Sequence, residues 1–459
     1  MDNVYLDTSI LDKNAIDAFG LSQELLVESA ASGLERCIDK YASANSFIII
    51  VVGSGNNGAD GLALARRLHG KYNVNIYMPK EPKSELARIE LQRLKKLNVK
   101  FIGKLFLCDI VVDCLFGSGF DGDLDLEYQE IVDNMNNIAR LNIACDIPSG
   151  IDSIWSISSI AFKADITVSM GALKLSYFSD VAKDYIGEIV EVNLGISKTS
   201  YEQDSKYKLL VESDFNPPKR KLKNAHKGNF GHCCIIAGEK EGASILSALS
   251  AFAFGSGLVS IIGDVKNPPY HIMNSRTLPD NCTSIAFGMG LGDRINKYNF
   301  DFLGEIPSVL DADMFYSPDL PDIINKGNIV LTPHLKEFAS LLTNSLFGDF
   351  NMDYIAKNRI QLIEEFSYKH KNVVLLLKGT NTIIAQDGNI YINNFGNNNL
   401  SKGGSGDILS GMIASLLSQK YSLLDAAITA SLAHSFASRQ IKTSYGLEPF
   451  DLVEEIKKF

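Results

Sequence analysis

The chain of 459 residues contains no Cys-x-x-Cys pair, and its seven cysteines are an odd number scattered along it. Adjacent Cys233 and Cys234 lie in an apolar run and read as buried free thiols, which suits a reducing compartment. A basic excess is also missing: 44 Lys and Arg stand against 54 Asp and Glu, a net charge of −10. That excludes the electropositive face that a nucleic-acid backbone requires, but not a local pocket for one nucleotide. No apolar run approaches the roughly 18 residues of a membrane span, and the opening MDNVYLDTSILDKNA carries no apolar signal core. A cytoplasmic protein that meets neither membrane nor nucleic acid is the expectation. Short-period repeats and low-complexity tracts are absent as well.

What is present is ordinary for a folded chain, 46% hydrophobic and 21% charged residues. The length exceeds one ordinary core and points to two domains. Short runs rich in Val and Ile recur through the first half: FIIIVVG (47–53), VNIYM (74–78), DIVVDCLFG (109–117), LNIACD (141–146), ADITVSMG (164–171) and GEIVEVNLG (187–195). Helix-like stretches such as SELARIELQRLKKL separate several of them. Continuous apolar strands alternating with helices mean an α/β fold with a parallel sheet covered on both faces.

A polar break over 197–228 carries Pro217-Pro218 and the basic cluster Lys219, Arg220, Lys221, Lys223 and Lys227. It marks a domain boundary near 205–215. The cluster reads either as a solvated linker face or as electrostatic support for a phosphate-bearing ligand. Beyond it the α/β rhythm resumes, with a hairpin turning at Asp387-Gly388 and two long apolar-periodic helices, roughly 406–419 and 423–440, closing the chain.

Ligands of open parallel sheets bind beyond the carboxyl ends of the strands, and three motifs of the first half stand there. VVGSGNNGADG (51–61) runs from a strand through glycines into a helix. Its Gly53, Gly55 and Gly58 would let a backbone approach phosphate, but a pure phosphate cradle has no need of Asn56, Asn57 and Asp60. DCLFGSGFDGD (113–123) and CDIPSGID (145–152) each end a strand in an aspartate, Asp113 and Asp146. If the two strands are neighbours, both carboxylates face one cleft.

In the second half NLSKGGSGDILSGM (399–412) leads a glycine-rich turn into Asp407 and a helix. Backbone N–H groups at that helix start can form an anion hole, with Asp407 placed to take a proton from an attacking hydroxyl. LKGTNT (377–382), LTPHLKEF (331–338, with His334 and Glu337) and FGMGLG (287–292) end further strands.

GSGNNGADG, DCLFGSG and DIPSG, preceded by ELLVESAASG (24–33), resemble the NAD(P)H-hydrate epimerase domain, a Rossmann-like parallel-sheet sandwich. The resemblance implies that Asn56, Asn57, Gly58, Ala59 and Asp60, with Gly117, Ser118, Gly119, Phe120, Asp121, Gly122 and Asp123, contact the hydrated cofactor. It implies that Asp146 is a further substrate contact, here also the candidate acid/base, and that Asn57, Asp113 and Ser149 hold a potassium ion. HKGNFGHCCIIAG, GAS, GSGLVSI, GMGLG, DAD, TPH, KGTNT and GGSGD resemble, in order, the NAD(P)H-hydrate dehydratase branch of the ribokinase-like superfamily. There Lys378, Gly379, Thr380, Asn381, Thr382 and Gly406 would bind ADP or ATP, with ADP favoured. Ala243, Gly290, His334 and Asp407 would face the substrate.

The implied whole is an epimerase domain over 1–210 and a dehydratase domain over 211–459. It would act on the hydrates of NADH and NADPH with a magnesium ion in the second domain, as a homo-oligomer. Ala59 differs from the usual Gly, Ser29 from Asn, Met289 from Pro, Leu335-Lys336 from Pro-Gly and Ser405 from Thr. The rival reading is a vitamin-precursor kinase behind a nucleotide-sensing module.

Overall fold

The computed structural model describes residues 1–152, 155, 157–221, 223–292 and 302–459. The chain divides into two compact units, one of Asn3–Ser205 and one of Lys206–Phe459 with Met1–Asp2. Among the described residues no helix is long and apolar enough to cross a membrane.

In the first unit the apolar runs form β1 (Phe47–Val52), β2 (Asn73–Tyr77), β3 (Lys100–Ile102), β4 (Cys108–Cys114), β5 (Ala139–Cys145), β6 (Ile166–Met170) and β7 (Glu188–Val192). All pair in parallel, in the order β3-β2-β1-β4-β5-β6-β7. Successive side chains of a strand point to opposite faces. Ile48, Ile50 and Val52 of β1 accordingly join one core, and Ile49 and Val51 another. The helices are α1 (Ser9–Phe19), α2 (Gln23–Ile38), α3 (Asn56–Leu68), α4 (Glu85–Lys95) and α5 (Leu126–Ile138). The first core takes Leu34 of α2, Leu62 of α3 and Leu94 of α4, and the second takes Val132 and Met135 of α5. Because both faces are covered, the strands read as unbroken apolar runs.

The strand order reverses between β1 and β4. The chain leaves them for opposite faces of the sheet and opens a crevice at their carboxyl ends. Glycine is required there by close approach. A Cβ on Gly53 would stand 1.9 Å from the Leu115 carbonyl oxygen, one on Gly58 2.0 Å from the Gly53 oxygen, and one on Gly61 2.8 Å from Cys114 Cβ. Gly55, the second glycine of the sequence motif, caps α3 and has nothing within 4 Å of that point.

The second unit contains β8 (Tyr207–Leu209), β9 (His232–Ile236), β10 (Leu258–Ile262), β11 (Met273–Ser275), β12 (Ser284–Phe287), β13 (Ser308–Leu310), β14 (Ile329–Leu331), β15 (Val373–Leu377), β16 (Thr382–Gln386) and β17 (Asn389–Asn393). Their order is β11-β10-β9-β12-β13-β14-β15-β16-β17-β8, parallel except around β16, which pairs antiparallel on both sides. Asp387 and Gly388 turn β16 into β17 with φ of 49° and 77°, the left-handed pair that a two-residue hairpin needs. The principal helices are α6 (Glu241–Ala253), α7 (Leu335–Asn344), α8 (Arg359–Lys369), α9 (Ser405–Ser418), α10 (Leu423–Arg439) and α11 (Pro449–Ile456). α9 and α10 do not close the chain, as the sequence reading expected. α11 follows, its Leu452, Val453 and Ile456 buried in the same core as Met412 and Ile413 of α9. Eight residues with a proline at the start are too short for periodicity to mark.

The crevice glycines separate by substitution. Gly58→Ala drives a Cβ into backbone and should cost about 1–3 kcal/mol, whereas Gly55→Ala meets open space and should stay within about 0.5 kcal/mol. Urea denaturation of the two variants beside the parent checks both.

Candidate active sites

A cavity of about 700 Å³ occupies the crevice of the first unit, within the range of small-molecule sites. Ser54–Asn57 and Asp60 form one wall, Leu115–Asp121 another, and Thr8, Ser9, Asp12 and Ile16 of the α1 region a third, with Asp146 and Met170 at strand ends.

Asp146 is the best-held group there. Its φ of 69° lies in the left-handed region, which Asp tolerates. Its amide donates to the Val168 oxygen at 2.9 Å, and its carbonyl accepts from the Tyr177 hydroxyl at 2.6 Å. In the carboxylate, Oδ1 stands 2.6 Å from Lys174 Nζ and accepts from the Met170 amide, while Oδ2 accepts from the Ser118 amide at 3.3 Å. Lys174 is only 3% exposed and donates also to the Met170 and Ala172 carbonyls. Burial alone would push its ammonium down, but the Asp146 carboxylate outweighs burial and holds it above the ordinary lysine value. The sequence reading missed Lys174, although a lone lysine inside the apolar run GALKLSYF was a usable signal.

Asp113 does not face the cavity with Asp146, as the sequence reading supposed. β4 and β5 are neighbours, yet Asp113 is fully buried beneath the loop that follows it. Its Oδ1 accepts from the Leu115 amide and, at 2.7 Å, from Ser149 Oγ; its Oδ2 accepts from the Ser149 amide at 2.7 Å. Burial raises its pKa to about 6, against the pull of those bonds. Ser149 Oγ in turn accepts from the Phe116 amide, and Asn57 Nδ2 donates to the Phe116 oxygen at 2.7 Å. The three residues assigned to a cation thus gather around one loop, and the buried Asn57 Oδ1 has no hydrogen-bond partner.

The remaining sequence candidates separate by whether they reach the cavity. Asn56, Asn57, Asp60, Gly117, Ser118, Gly119, Phe120 and Asp121 line the cavity. Gly58 and Ala59 are buried behind it, Ala59 within the apolar core, so its replacement of glycine leaves the cavity wall unchanged. Asp123 is exposed and turns to the Ser158 hydroxyl and the Ser159 amide and hydroxyl, where it pins a loop. Asp12, which no sequence signal marked, lines the cavity and accepts from the Tyr201 hydroxyl at 2.7 Å.

In the second unit Gly404, at φ 93°, starts α9, and Asp407 is its third residue. Asp407 makes no capping bond. Burial first and then nearby Asp311 raise its pKa to about 6, with Lys378 opposing. Lys378 follows β15, its Nζ 2.8 Å from Asp311 Oδ1 and 3.6 Å from Glu337. Ser410 of α9 donates to the other Asp311 oxygen at 2.7 Å. A Cβ on Gly406 would lie 3.5 Å from Lys378 Nζ, so the ammonium sits over the first turn of α9. Asp311 was matched in the DAD segment, but its hold on Lys378 was not foreseen.

Ala243 and Gly290 are also brought together. A Cβ on Gly290 would stand 3.2 Å from Ala243 Cβ, and one turn along α6 Ser247 donates to the Asp407 carbonyl at 2.8 Å. His334 caps α7 through its ring, with Nδ1 accepting from the Glu337 amide and the Glu337 carboxylate accepting from the His334 amide. Leu335-Lys336 form the first turn of that helix. His434, pushed down to about 4 by burial, contacts Ser405 Oγ at 3.3 Å and is neutral.

Residues 23–176 match the family described as YjeF-related protein N-terminus, and residues 233–458 match the one described as NAD(P)H-hydrate dehydratase. A bifunctional NAD(P)H-hydrate repair enzyme of Helicobacter pylori is 43% identical over 473 residues, spanning 100% of this chain and 100% of that one. Its counterpart in Dictyoglomus turgidum is 31% identical over 94% of this chain and 92% of its own. Among solved structures, an ADP/ATP-dependent NAD(P)H-hydrate dehydratase from Bacillus subtilis, co-crystallised with ATP and magnesium, is 24% identical. It covers 53% of this chain and 93% of its own, with a TM-score of 0.45.

Two stability outcomes follow from these charges. Lys174→Met leaves Asp146 without its cation in a buried place and should cost about 3–5 kcal/mol, read as an earlier urea transition. Asp407 has the opposite sign. Its folded pKa of about 6 exceeds the ordinary 3.8, so the folded state holds the proton more tightly and stability falls as pH rises through that window. Asp407→Asn should therefore gain about 2 kcal/mol near pH 8 and little near pH 4, measured by denaturation at the two pH values.

Proposed function

The chain belongs to the family of bifunctional NAD(P)H-hydrate repair enzymes, and from that premise we propose how its two units divide the repair. Residues 1–210 act as the epimerase that interconverts the R and S hydrates of NADH and NADPH. Residues 211–459 act as the dehydratase: they phosphorylate the ring hydroxyl of the S hydrate with ADP or ATP, then eliminate phosphate to restore the reduced cofactor. One observation supports both halves best. Each unit ends its parallel strands in a glycine-rich loop and sets an aspartate there against a lysine drawn into the fold, Asp146 with the buried Lys174 and Asp311 with the half-buried Lys378. The family resemblance extends the proposal to a cytoplasmic homo-oligomer.

In the first cavity Asp146 serves as acid/base. The Lys174 ammonium and the Met170 and Ser118 amides hold its carboxyl at the cavity, where it accepts a proton from the substrate hydroxyl. Asn56, Asn57, Asp60 and residues 117–121 surround the ring and its ribose phosphate. Asn57, Asp113 and Ser149 would hold a potassium ion, for which the unpartnered Asn57 Oδ1 and the buried Asp113 oxygens are suitable hard donors. Such an ion would supply a fixed positive charge beneath the β4 loop.

In the second unit Asp407 accepts the proton of the attacking hydroxyl. A pKa near the working pH suits a group that must be free to take a proton and able to return it. The first-turn amides of α9 have no partners within the helix and, with Lys378 above Gly406, oppose the charge of the transferred phosphoryl group. Lys378, Gly379, Thr380, Asn381, Thr382 and Gly406 bind the nucleotide, and Ala243, Gly290 and His334 border the substrate. Magnesium, carried in with the nucleotide, would neutralise phosphate charge.

The test supplies a mixed R and S NADH-hydrate preparation with potassium, magnesium and either ADP or ATP, and follows reduced-nicotinamide absorbance. Complete recovery dependent on one nucleotide is expected. Asp146→Asn should recover the S fraction only, after correction for spontaneous epimerisation, and Asp407→Ala should recover neither. Failure of the unaltered chain with both nucleotides would overturn the reading in favour of a vitamin-precursor kinase.

A further inference from the structure

The first cavity holds more carboxyl groups than a single acid/base needs. Asp12, Asp60, Asp121 and Asp146 all line it, Asp121 exposed to solvent and the other three drawn into the fold. One buried ammonium faces them, that of Lys174, and it is committed to Asp146 at 2.6 Å. Asp12 takes a hydrogen bond from the Tyr201 hydroxyl. Asp60, half-buried on α3, has no ion pair and no hydrogen bond to its carboxyl among the described residues. Around one cavity with one buried cation, the carboxyl that has neither ion pair nor hydrogen bond is the one whose proton is held.

Building on the epimerase reading above, we propose that Asp60 is a second catalytic residue of this cavity, the acid that protonates the ring nitrogen while Asp146 acts as base on the hydroxyl. The hydrated ring carbon is bonded to both the hydroxyl oxygen and the ring nitrogen. Asp146 removes the hydroxyl proton and the carbon–oxygen bond becomes a carbonyl. The carbon–nitrogen bond breaks, and its electron pair goes to nitrogen, which takes the proton of Asp60. The open-chain aldehyde turns its other face to the nitrogen. On reclosure the nitrogen attacks that face and returns its proton to Asp60, and the carbonyl oxygen recovers a proton from Asp146. Both groups finish as they began, with no water, oxidant or co-substrate consumed.

The alternative route, expulsion of water, needs only an acid. A cavity that sets one carboxyl against a buried ammonium and leaves another without a partner is matched to a step that uses a base and an acid at once. Burial first, then Asp146 and Asp12, hold the Asp60 carboxyl well above the usual range. The tyrosines and cysteines around the pair stay neutral through the working pH range. Tyr177, Tyr201 and Cys114 are raised by burial, and Cys145 chiefly by its contact with Cys114. Lys174 stays charged.

The experiment uses the full chain and pure R hydrate, with epimer composition followed by chromatography across pH. The unaltered protein should give a bell-shaped kcat/KM. Asp60→Asn should lower it by about 100-fold or more and remove the alkaline limb, while dehydration of S hydrate by the second unit reports an intact chain. A variant that retains activity within a few-fold, with both limbs, overturns the proposal. A measurement on the unaltered chain does not depend on how the variant folds. R hydrate labelled with ¹⁸O in the hydroxyl should give S hydrate that keeps the label, and its complete exchange with solvent overturns ring opening. An unaltered chain that dehydrates S hydrate but never epimerises R hydrate fails the epimerase reading itself, and this proposal with it.

Discussion

An ammonium taken partly or wholly out of water is matched by a carboxylate, and that constraint organises both sites. Lys174 sits at 3% exposure with Asp146 against it. The pair fixes which Asp146 oxygen is spoken for and leaves its other oxygen toward Ser118 and the cavity. The second unit repeats the device with Lys378 and Asp311, and Ser410 and Glu337 complete the cradle. There the lysine rather than the aspartate is turned to the chemistry, because it stands over the first turn of α9. The same ion pair would therefore prepare, on the proposed roles, a base in one unit and an anion site in the other.

Glycine supplies the second half of each site by letting backbone come where side chains cannot. Gly53, Gly58 and Gly61 bring the β1 loop, the β4 loop and α3 into van der Waals contact. In the second unit Gly411 lets α9 pack on α6, where a Cβ would lie 2.1 Å from the Ser247 oxygen. Ser247 is also the residue that holds the Asp407 carbonyl. Helix packing and the placing of the catalytic-type aspartate are thus one event, and loosening the first would move the second.

Much of this was legible in the sequence, for definite reasons. Strands buried on both faces write themselves as Val and Ile runs, and loops under steric pressure write themselves as glycine. Those two signals recovered the alternation of strands and helices and the loops that bound the cavity. Three-residue strands such as β3 and β8, and the eight-residue α11, carry too few positions for a pattern. What a side chain touches is a matter of the third dimension. Asp113 and Asp146 both end strands before a glycine turn, yet one is folded under its loop by Ser149 and the other is opened to the cavity by a left-handed backbone. Likewise 117–123 reads as one motif, while its last residue, Asp123, turns away to Ser158 and Ser159. Lys174 was visible as a charge in an apolar run, but its partner lies 28 residues before it.

The raised carboxyls can be sorted by what compensates them. Asp60, Asp113 and Asp407 all carry a pKa above the ordinary carboxylate value, and each therefore costs the folded state stability near neutrality. Asp113 receives three hydrogen bonds from Leu115 and Ser149, which hold the β4 and β5 loops in register. Its burial is repaid by architecture. Asp60 and Asp407 receive none among the described residues, although a serine or an amide at either place would have satisfied them. A fold that leaves a carboxyl buried, unpartnered and open to a cavity keeps a group whose proton is easily moved, and loses stability by doing so. On the roles proposed above, both positions are ones where a proton is transferred, and function is the return that offsets the loss.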